Sequence, residues 1–401
     1  MNIAVISAHS CPAGTLGTKD TGGMSVYTLE IARELGKLGH KVDVYTRLHN
    51  PDDLVVLELG ENARLIHIEA GERTKLHKLA VHGLLPEFTA NLEMFRKENN
   101  LEYDIVYTHY WISTLAGEEF SRMWQVPHVT MFHTLGAMKN TFGVGEPDPD
   151  LRIDTEGELV KSIHRIIAPT EREKGELVNR YNADPEKIGV VPCGVNMELF
   201  RPLDRAESRQ RIGLVNGKII LFAGRIDPLK GIANLVKAVA LIKGGKDTRL
   251  VIVGGGNGDN EIQTYRELAR DCGIAENVTF TGAVSQDTMP YYYTAADVCV
   301  LPSYYESFGL VALEALSCGM PVVANDVGDL KNIIRQGETG FVTAGNSPAV
   351  LAETIGQALD SRFAPAETIR ESVKQYTWAD VAGALTGEFE RLICRYRVPV
   401  S

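Results

Sequence analysis

Short apolar runs alternate with longer amphipathic stretches along the whole chain. A strand buried on both faces reads as a continuous apolar run, so this rhythm predicts parallel sheets covered by helices. Strand candidates in the first half are 3–7, 42–45, 105–108, 129–132, 166–169 and 189–191. In the second half they are 219–223, 249–253, 278–281, 298–301, 322–324 and 340–343. Helical periodicity fills most gaps. Over 25–38, for example, Val26, Leu29, Ile31, Leu35 and Leu38 approximate one face before Gly39 ends the helix.

The rhythm breaks between Pro192 and Pro202. A charged segment with Asp204, Arg205, Glu207, Arg209 and Arg211 follows, and the apolar pattern restarts at Lys218. The expected architecture is therefore α/β, with two Rossmann-like, doubly wound parallel-sheet domains, 1–197 and 198–377, facing a central cleft. A terminal segment, 378–401, carries a helix expected to cross back to the first domain. Ligands of such sheets sit outside the carboxyl ends of the strands, which places a substrate between the domains.

Composition narrows the function. The chain has 401 residues, 44% hydrophobic and 23% charged, an ordinary globular profile. A net charge of −11 disfavours a nucleic-acid partner or a cationic membrane-surface protein, yet leaves room for a local basic pocket. The six cysteines are scattered without a Cys-x-x-Cys pair and read as reduced, largely packed thiols. The start Ile3-Ala4-Val5-Ile6 is too short for a signal peptide, and no apolar run is long enough to span a bilayer. The expectation is a soluble, cytoplasmic protein without an integral membrane segment; a homodimer is compatible with the sequence.

Four constellations carry chemistry, each where a strand hands over to a loop or helix. Asp20-Thr21-Gly22-Gly23-Met24-Ser25 precedes a helix; adjacent glycines admit close approach of backbone N–H groups to a ligand, and a tight structural turn is the plain alternative. Its spacing is not the dinucleotide Gly-x-Gly-x-x-Gly. In Gly224-Arg225-Ile226-Asp227-Pro228-Leu229-Lys230-Gly231, Arg225 and Lys230 can converge on a diphosphate. Such charge-assisted bonds contribute roughly 1.5–3 kcal/mol each. Glu306-Ser307-Phe308-Gly309-Leu310 with Glu314 pairs a loop carboxylate with a helical one, the second amid Val311, Ala312, Leu313, Ala315 and Leu316 and hence expected to be partnered. Finally, Phe132-His133-Thr134-Leu135-Gly136 ends a strand and directs His133 into the cleft.

Taken in order, Gly22-Gly23, His133, Gly224-Arg225 with Lys230-Gly231, Val253-Gly254-Gly255-Gly256 and the pair Glu306/Glu314 resemble family 4 of the retaining glycosyltransferases, which have the GT-B fold. The resemblance covers essentially the whole chain. The first half is similar to the branch holding inositol-phosphate N-acetylglucosaminyltransferases and sucrose-phosphate synthases. The similar stretches are Ile6-Ser7-Ala8-His9, Asp20 to Tyr27, His109-Tyr110-Trp111 and His133 to Asn140. The resemblance implies that Lys78, Tyr110, Thr134 and Arg152 hold an acceptor phosphate, with Ser25 at an acceptor position where the inositol-phosphate enzymes have Asn. It implies donor binding by Gly22, Gly23, Arg225, Lys230, Gly282, Val284, Glu306, Ser307, Phe308, Gly309, Leu310 and Glu314, with His133, Arg225, Lys230 and Glu306 carrying catalysis. Asp329 follows Gly328 where a second glycine is usual.

The implied reaction moves a hexosyl group, with retention, from a nucleotide sugar to a small, phosphorylated sugar or polyol. UDP-glucose or UDP-N-acetylglucosamine is the preferred donor and GDP-mannose the second. Arg225 and Lys230 stand in for a metal, no cofactor is expected, and Asp148-Pro149-Asp150 is not a convincing metal motif. The competing readings are a nucleotide-sugar 2-epimerase of the same fold and a non-catalytic nucleotide-sugar-binding protein.

Overall fold

The computed structural model describes residues 1–14, 22–242, 247–256 and 260–397; Asp20 and Thr21 of the first glycine motif lie outside them. Among the described residues the strands form an eight-stranded and a six-stranded sheet. The first contains β1 (Asn2–Ile6), β2 (Lys41–Arg47), β3 (Val56–Gly60), β4 (Ala63–Ile68), β5 (Ile105–His109), β6 (His128–Met131), β7 (Arg165–Ala168) and β8 (Ile188–Val190), in the order β3-β4-β2-β1-β5-β6-β7-β8. The second contains β9 (Lys218–Ala223), β10 (Thr248–Val253), β11 (Val278–Gly282), β12 (Val298–Leu301), β13 (Val322–Asn325) and β14 (Gly340–Thr343), in the order β11-β10-β9-β12-β13-β14. Both are Rossmann-like, and the chain order reverses beside β1 and beside β9, the strands whose following turns carry two of the glycine motifs.

One expectation is corrected. β3 and β4 stand where no strand was expected, and β3 runs antiparallel to β4, so the first sheet is not wholly parallel. The reason is physical. β3 is an edge strand, mostly exposed and carrying Glu58, so it lacks the apolar run of a doubly covered strand. Asn62, at φ 55°, supplies the left-handed residue of the turn into β4.

Alternation along the parallel strands feeds different cores. Ile3, Val5, Val42, Val44, Ile105 and Tyr107 enter one apolar cluster, while Ala4, Ile6, Tyr45 and Val106 enter another on the opposite face. The first cluster continues into the second sheet through Ile219, Leu221, Val251 and Cys299. The final helix, Trp378–Arg397, joins it with Trp378, Val381, Leu385 and Phe389 at helical spacing. Trp378 meets the edge of Tyr27 at 5.6 Å, Phe389 meets Tyr107 at 5.3 Å, and Glu388 pairs with Arg165 at 2.6 Å. This helix thus packs back on the first sheet.

The two chain passages between the halves lie side by side: the Val195 N–H donates to the Tyr376 carbonyl at 2.8 Å. Among the described residues no helix is long and apolar enough to cross a membrane. All six cysteines are unpaired; Cys11, Cys193, Cys299 and Cys318 are buried and Cys394 is exposed.

Candidate functional site

The loops after β9 and β12 meet first. Gly231 has φ 72°, and a Cβ there would lie 2.0 Å from the Pro302 carbonyl oxygen, so a glycine lets the two loops touch. Asp227 caps the short 3₁₀ turn Pro228–Lys230 by accepting from the Leu229 N–H at 2.9 Å. This turn carries Lys230 onto Glu306: its ammonium donates to Oε1 at 2.6 Å, and Ser303 Oγ donates to the same oxygen at 2.7 Å. The second and third sequence constellations therefore form one ion pair.

Glu314 sits differently. It lies inside the helix Leu310–Ser317, accepts from the Tyr293 hydroxyl at 2.7 Å, and is pushed up to about 7 by burial. Gly309 forms the N-cap of this helix, and Phe308 just before it is buried with its ring 5.9 Å from Tyr376. Asp329 is no strained substitute for glycine, since its φ is −106°. The loop after β11 is tied to the one after β10: the Gly254 N–H donates to the Gly282 carbonyl at 2.9 Å and the Ala283 N–H to the Gly255 carbonyl at 2.8 Å. Gly282 and the half-buried Val284 flank the carboxyl end of the sheet there.

The glycine pair of the first half is where the second half rests. A Cβ on Gly22 would lie 3.3 Å from Arg225 Cδ, and one on Gly23 would lie 3.2 Å from Leu310 Cδ1. Gly22 is the N-cap of the helix Gly23–Lys37, so the Arg225 side chain lies against the positive end of a helix from the opposite half. Arg225 is also paired with Asp227, Nη2 to Oδ2 at 3.7 Å. Three more contacts join the halves. Ser307 Oγ donates to Glu173 Oε2 at 2.5 Å, the Leu135 N–H donates to the Tyr305 hydroxyl at 3.3 Å, and Arg172 pairs with Asp326 at 2.7 Å. Burial pushes Glu173 up to about 7.

A second charged cluster lies wholly in the first half. Asp148 accepts from Lys78 and Lys139 at 2.8 Å each, and from Arg152 Nη1 at 2.8 Å. The remaining Arg152 donors are also used: Nε bonds Glu156 at 2.7 Å, and Nη2 bonds the Thr134 carbonyl and hydroxyl at 2.5 and 3.0 Å. Its guanidinium lies 4.7 Å over the Tyr110 ring. Burial opposes ionisation of Asp148, but Arg152 with Lys139 and Lys78 outweighs it and holds the carboxyl well below the usual range. Lys78, Tyr110, Thr134 and Arg152 are thus brought together. Ser25 is not open to the cleft: it is fully buried, its hydroxyl 2.7 Å from that of Ser10. Asp148 and Asp150 diverge, the first buried among cations and the second exposed.

His133 follows β6 with φ 60°, a left-handed backbone that turns its ring back toward β5. Its Nε2 lies 2.9 Å from His109 Nδ1, and the ring meets Tyr27 edge-on at 5.2 Å. Burial, then the neighbouring His9, pushes His133 down to about 3; burial, then His133, holds His109 well below the ordinary imidazole range. His9 is likewise pushed down to about 3 by burial, then by Lys78 and Arg152, and its ring lies 4.5 Å from Tyr110. All three are neutral at physiological pH.

The structure adds residues absent from the expected site: His9, His109, Lys139, Asp148, Glu156, Glu173 and Tyr305. Some signal existed. His9, His109 and Lys139 stand inside the stretches that carry the resemblance, and Arg152/Glu156 has the i,i+4 spacing of a helical ion pair. Asp148 was weighed only as a metal ligand, and nothing local marks Glu173 or Tyr305.

Comparison with known proteins bears on the family and the fold. The family model described as Glycosyltransferase Family 4 matches residues 21–199, and that described as Glycosyl transferases group 1 matches 204–376. The chain is 35% identical over 411 residues to a D-inositol 3-phosphate glycosyltransferase of Corynebacterium glutamicum, covering 99% of this chain and 98% of that protein. It is 38% identical over 413 residues to the protein of the same name from Acidothermus cellulolyticus, covering 98% and 91%. Among solved structures, a sucrose-phosphate synthase from Thermosynechococcus elongatus superposes with a TM-score of 0.89 at 30% identity, over 98% of this chain and 99% of that one. By sequence over almost its full length and by fold, the chain belongs to glycosyltransferase family 4 and is a glycosyltransferase.

Proposed function

We propose that this glycosyltransferase moves a hexosyl group, with retention of anomeric configuration, from a nucleoside-diphosphate sugar to a small phosphorylated sugar or polyol. UDP-glucose or UDP-N-acetylglucosamine is the preferred donor, with GDP-mannose second. The observation that carries this reading is the meeting of Arg225 with Gly22: positive charge from one half and a helix N-terminus from the other converge on one wall of the cleft. An anionic diphosphate is the ligand such a wall stabilises.

In this reading Arg225 and Lys230 carry the charge that grows on the leaving diphosphate, and the chemistry needs no metal. Glu306, now on Lys230, exchanges that ion pair for a sugar hydroxyl when donor binds. Glu314 accepts from the ribose, the N–H groups of Ser307, Phe308, Gly309 and Leu310 face the phosphates, and Gly282 and Val284 flank the base. Neutral His133 contacts the donor sugar near the reacting carbon. The sugar–phosphate C–O bond breaks, the acceptor hydroxyl bonds to the same face, and its proton passes to the departing phosphate oxygen. Same-face substitution is favoured over double displacement because the nearby carboxylates Asp148, Glu156 and Glu173 are each engaged by cations or hydroxyls.

Lys78, Tyr110, Thr134 and Arg152, joined by Lys139, form the acceptor-phosphate side, and Asp148 holds Lys78, Lys139 and Arg152 in place there. The names of the relatives, an inositol-phosphate enzyme and a sucrose-phosphate synthase, support an acceptor of this class. The test is nucleoside diphosphate release from a donor panel crossed with sugar and polyol phosphates, with NMR of the product anomer. Phosphate-dependent turnover, undiminished without added Mg²⁺ and yielding the donor's configuration, is expected. Inversion, or release indifferent to the acceptor phosphate, overturns the reading.

A further inference from the structure

Away from the donor loops, the segments following β1 and β2 enclose a cavity of about 510 Å³ with β4. Cys11, His49 and His67 line it, and one ligand-capable atom from each lies within 4.8 Å of the other two. Cys11 Sγ is 3.7 Å from His67 Nε2, while Asp53 Oδ2 is 3.2 Å from His49 Nδ1 and 3.8 Å from His67 Nε2. Two ligands on a tetrahedral zinc ion at about 2.0–2.3 Å stand about 3.3–3.7 Å apart, close to the 3.7 Å between Cys11 Sγ and His67 Nε2, and His49 lies within 4.8 Å of both.

The donor atoms are also prepared. His67 Nδ1 lies 2.6 Å from the Leu54 carbonyl, a bond that fixes its N–H there and turns the Nε2 lone pair toward the other ligands. His49 Nδ1 and Asp53 Oδ2 are both closed to solvent, and neither has a hydrogen bond, although they face each other at 3.2 Å. Buried polar atoms left this way are costly and ask for a partner. An S–H···N bond from Cys11 to His67 accounts for one contact but leaves those two atoms orphaned.

We propose that Cys11, His49 and His67 form a Zn²⁺ site, with Asp53 Oδ2 beside it at 3.2 Å from His49 Nδ1. The three ligands come from separate segments away from the donor loops, so the ion serves to hold the fold. It clamps the segment after β1 to the segment after β2 and to β4. That first segment carries His9, whose ring lies 4.5 Å from Tyr110, and Ser10, hooked to Ser25, so the clamp also fixes one wall of the Lys78/Arg152 cluster. Metal binding displaces the thiol proton of Cys11, so affinity rises with pH. The site does not depend on the reaction proposed above.

The test reads the metal itself. Full-length protein freed of metal is titrated with Co²⁺, then with Zn²⁺ against a chromophoric chelator. One Co²⁺ per chain is expected, with the strong visible absorption of tetrahedral cobalt and a thiolate charge-transfer band, both lost on adding Zn²⁺. Cys11→Ser removes the charge-transfer band and weakens Zn²⁺ at least about tenfold, and Asp53→Asn weakens it comparably with the thiolate band retained. Cys394→Ser, at the exposed cysteine, changes neither. Circular dichroism reports whether each variant folds, and the Asp53 variant decides should the Cys11 variant fail. Sub-stoichiometric binding, a pale octahedral spectrum, or variants that bind as the parent does would overturn the site.

Discussion

Two charge clusters face this cleft, and they differ in how far water reaches them. On the first-half side, Arg152, Glu156 and Asp148 have side-chain exposures of 1%, 0% and 1%. On the other side Arg225, Asp227, Lys230 and Glu306 have 39%, 26%, 20% and 15%. Arg152 has every donor arm engaged, whereas Lys230 holds one carboxylate in a partly wet site. The first cluster is part of the folded core and its geometry is fixed before substrate arrives. The second can trade partners at little cost, which is what binding and releasing a diphosphate in each cycle demands.

Arg152→Ala should break the comparison most severely. Removing one partner of a buried network leaves Asp148 and Glu156 uncompensated, a loss of about 3–5 kcal/mol in chemical denaturation. A loss below about 1 kcal/mol would mean the cluster is not structural. Lys230→Ala is the complement: stability within about 1 kcal/mol of the parent, because the pair is partly solvated. Its turnover should fall at least about tenfold, since about 1.4 kcal/mol of lost charge stabilisation already produces that. Near-parental turnover would remove Lys230 from the chemistry. Lys78→Met sharpens the boundary between the clusters. Lys78 is 27% exposed and shares Asp148 with two other cations, so folding should tolerate its loss. The Michaelis constant for a phosphorylated acceptor should rise about tenfold, with that for donor unchanged. An equal rise for donor would place Lys78 elsewhere in the cycle.

Much of this was readable in the chain because buried parallel strands announce themselves as apolar runs; each run in the expected set lies on a strand. β3 escaped because an exposed edge strand with Glu58 carries no such run, and β4, though buried, has its run broken by Arg64 and His67. The site was legible residue by residue but not as geometry. Lys230 and Glu306 are 76 positions apart, and no local pattern says that their loops touch at Gly231 and Pro302. Gly22 reads as a ligand-facing glycine, while the structure also uses its missing Cβ to seat Arg225. Ser25 is the converse: its position in the motif suggests contact with acceptor, while its hydroxyl is buried on Ser10. Glu173 had no signal at all, because its role exists only once the two halves meet at Ser307.

Glu173 supplies the smallest and most diagnostic effect, because it belongs to neither cluster and joins their two halves. Its carboxyl is raised to about 7, against about 4.5 in an unfolded chain, chiefly by burial and despite the hydrogen bond from Ser307. Between those values the native state binds more protons than the unfolded state, so its contribution to stability falls as pH rises and is flat above about 7. Glu314, raised to about 7 by the same cause, acts in the same direction. His133 and His9, lowered to about 3, act oppositely, losing stability as pH falls below about 6.5. The sum over the window from about 4.5 to 6.5 is therefore muted, and only a single-site change exposes one component. Glu173→Gln keeps a hydrogen-bond partner for Ser307 but cannot ionise. Relaxation around a buried charge trims the effect to about 1 kcal/mol, so the variant's thermal midpoint should gain about 2–4 °C on the parent's at pH 8 relative to pH 5. An unchanged difference between the two pH values would show that Glu173 ionises freely, and that the contact between the halves at Ser307 is open to water.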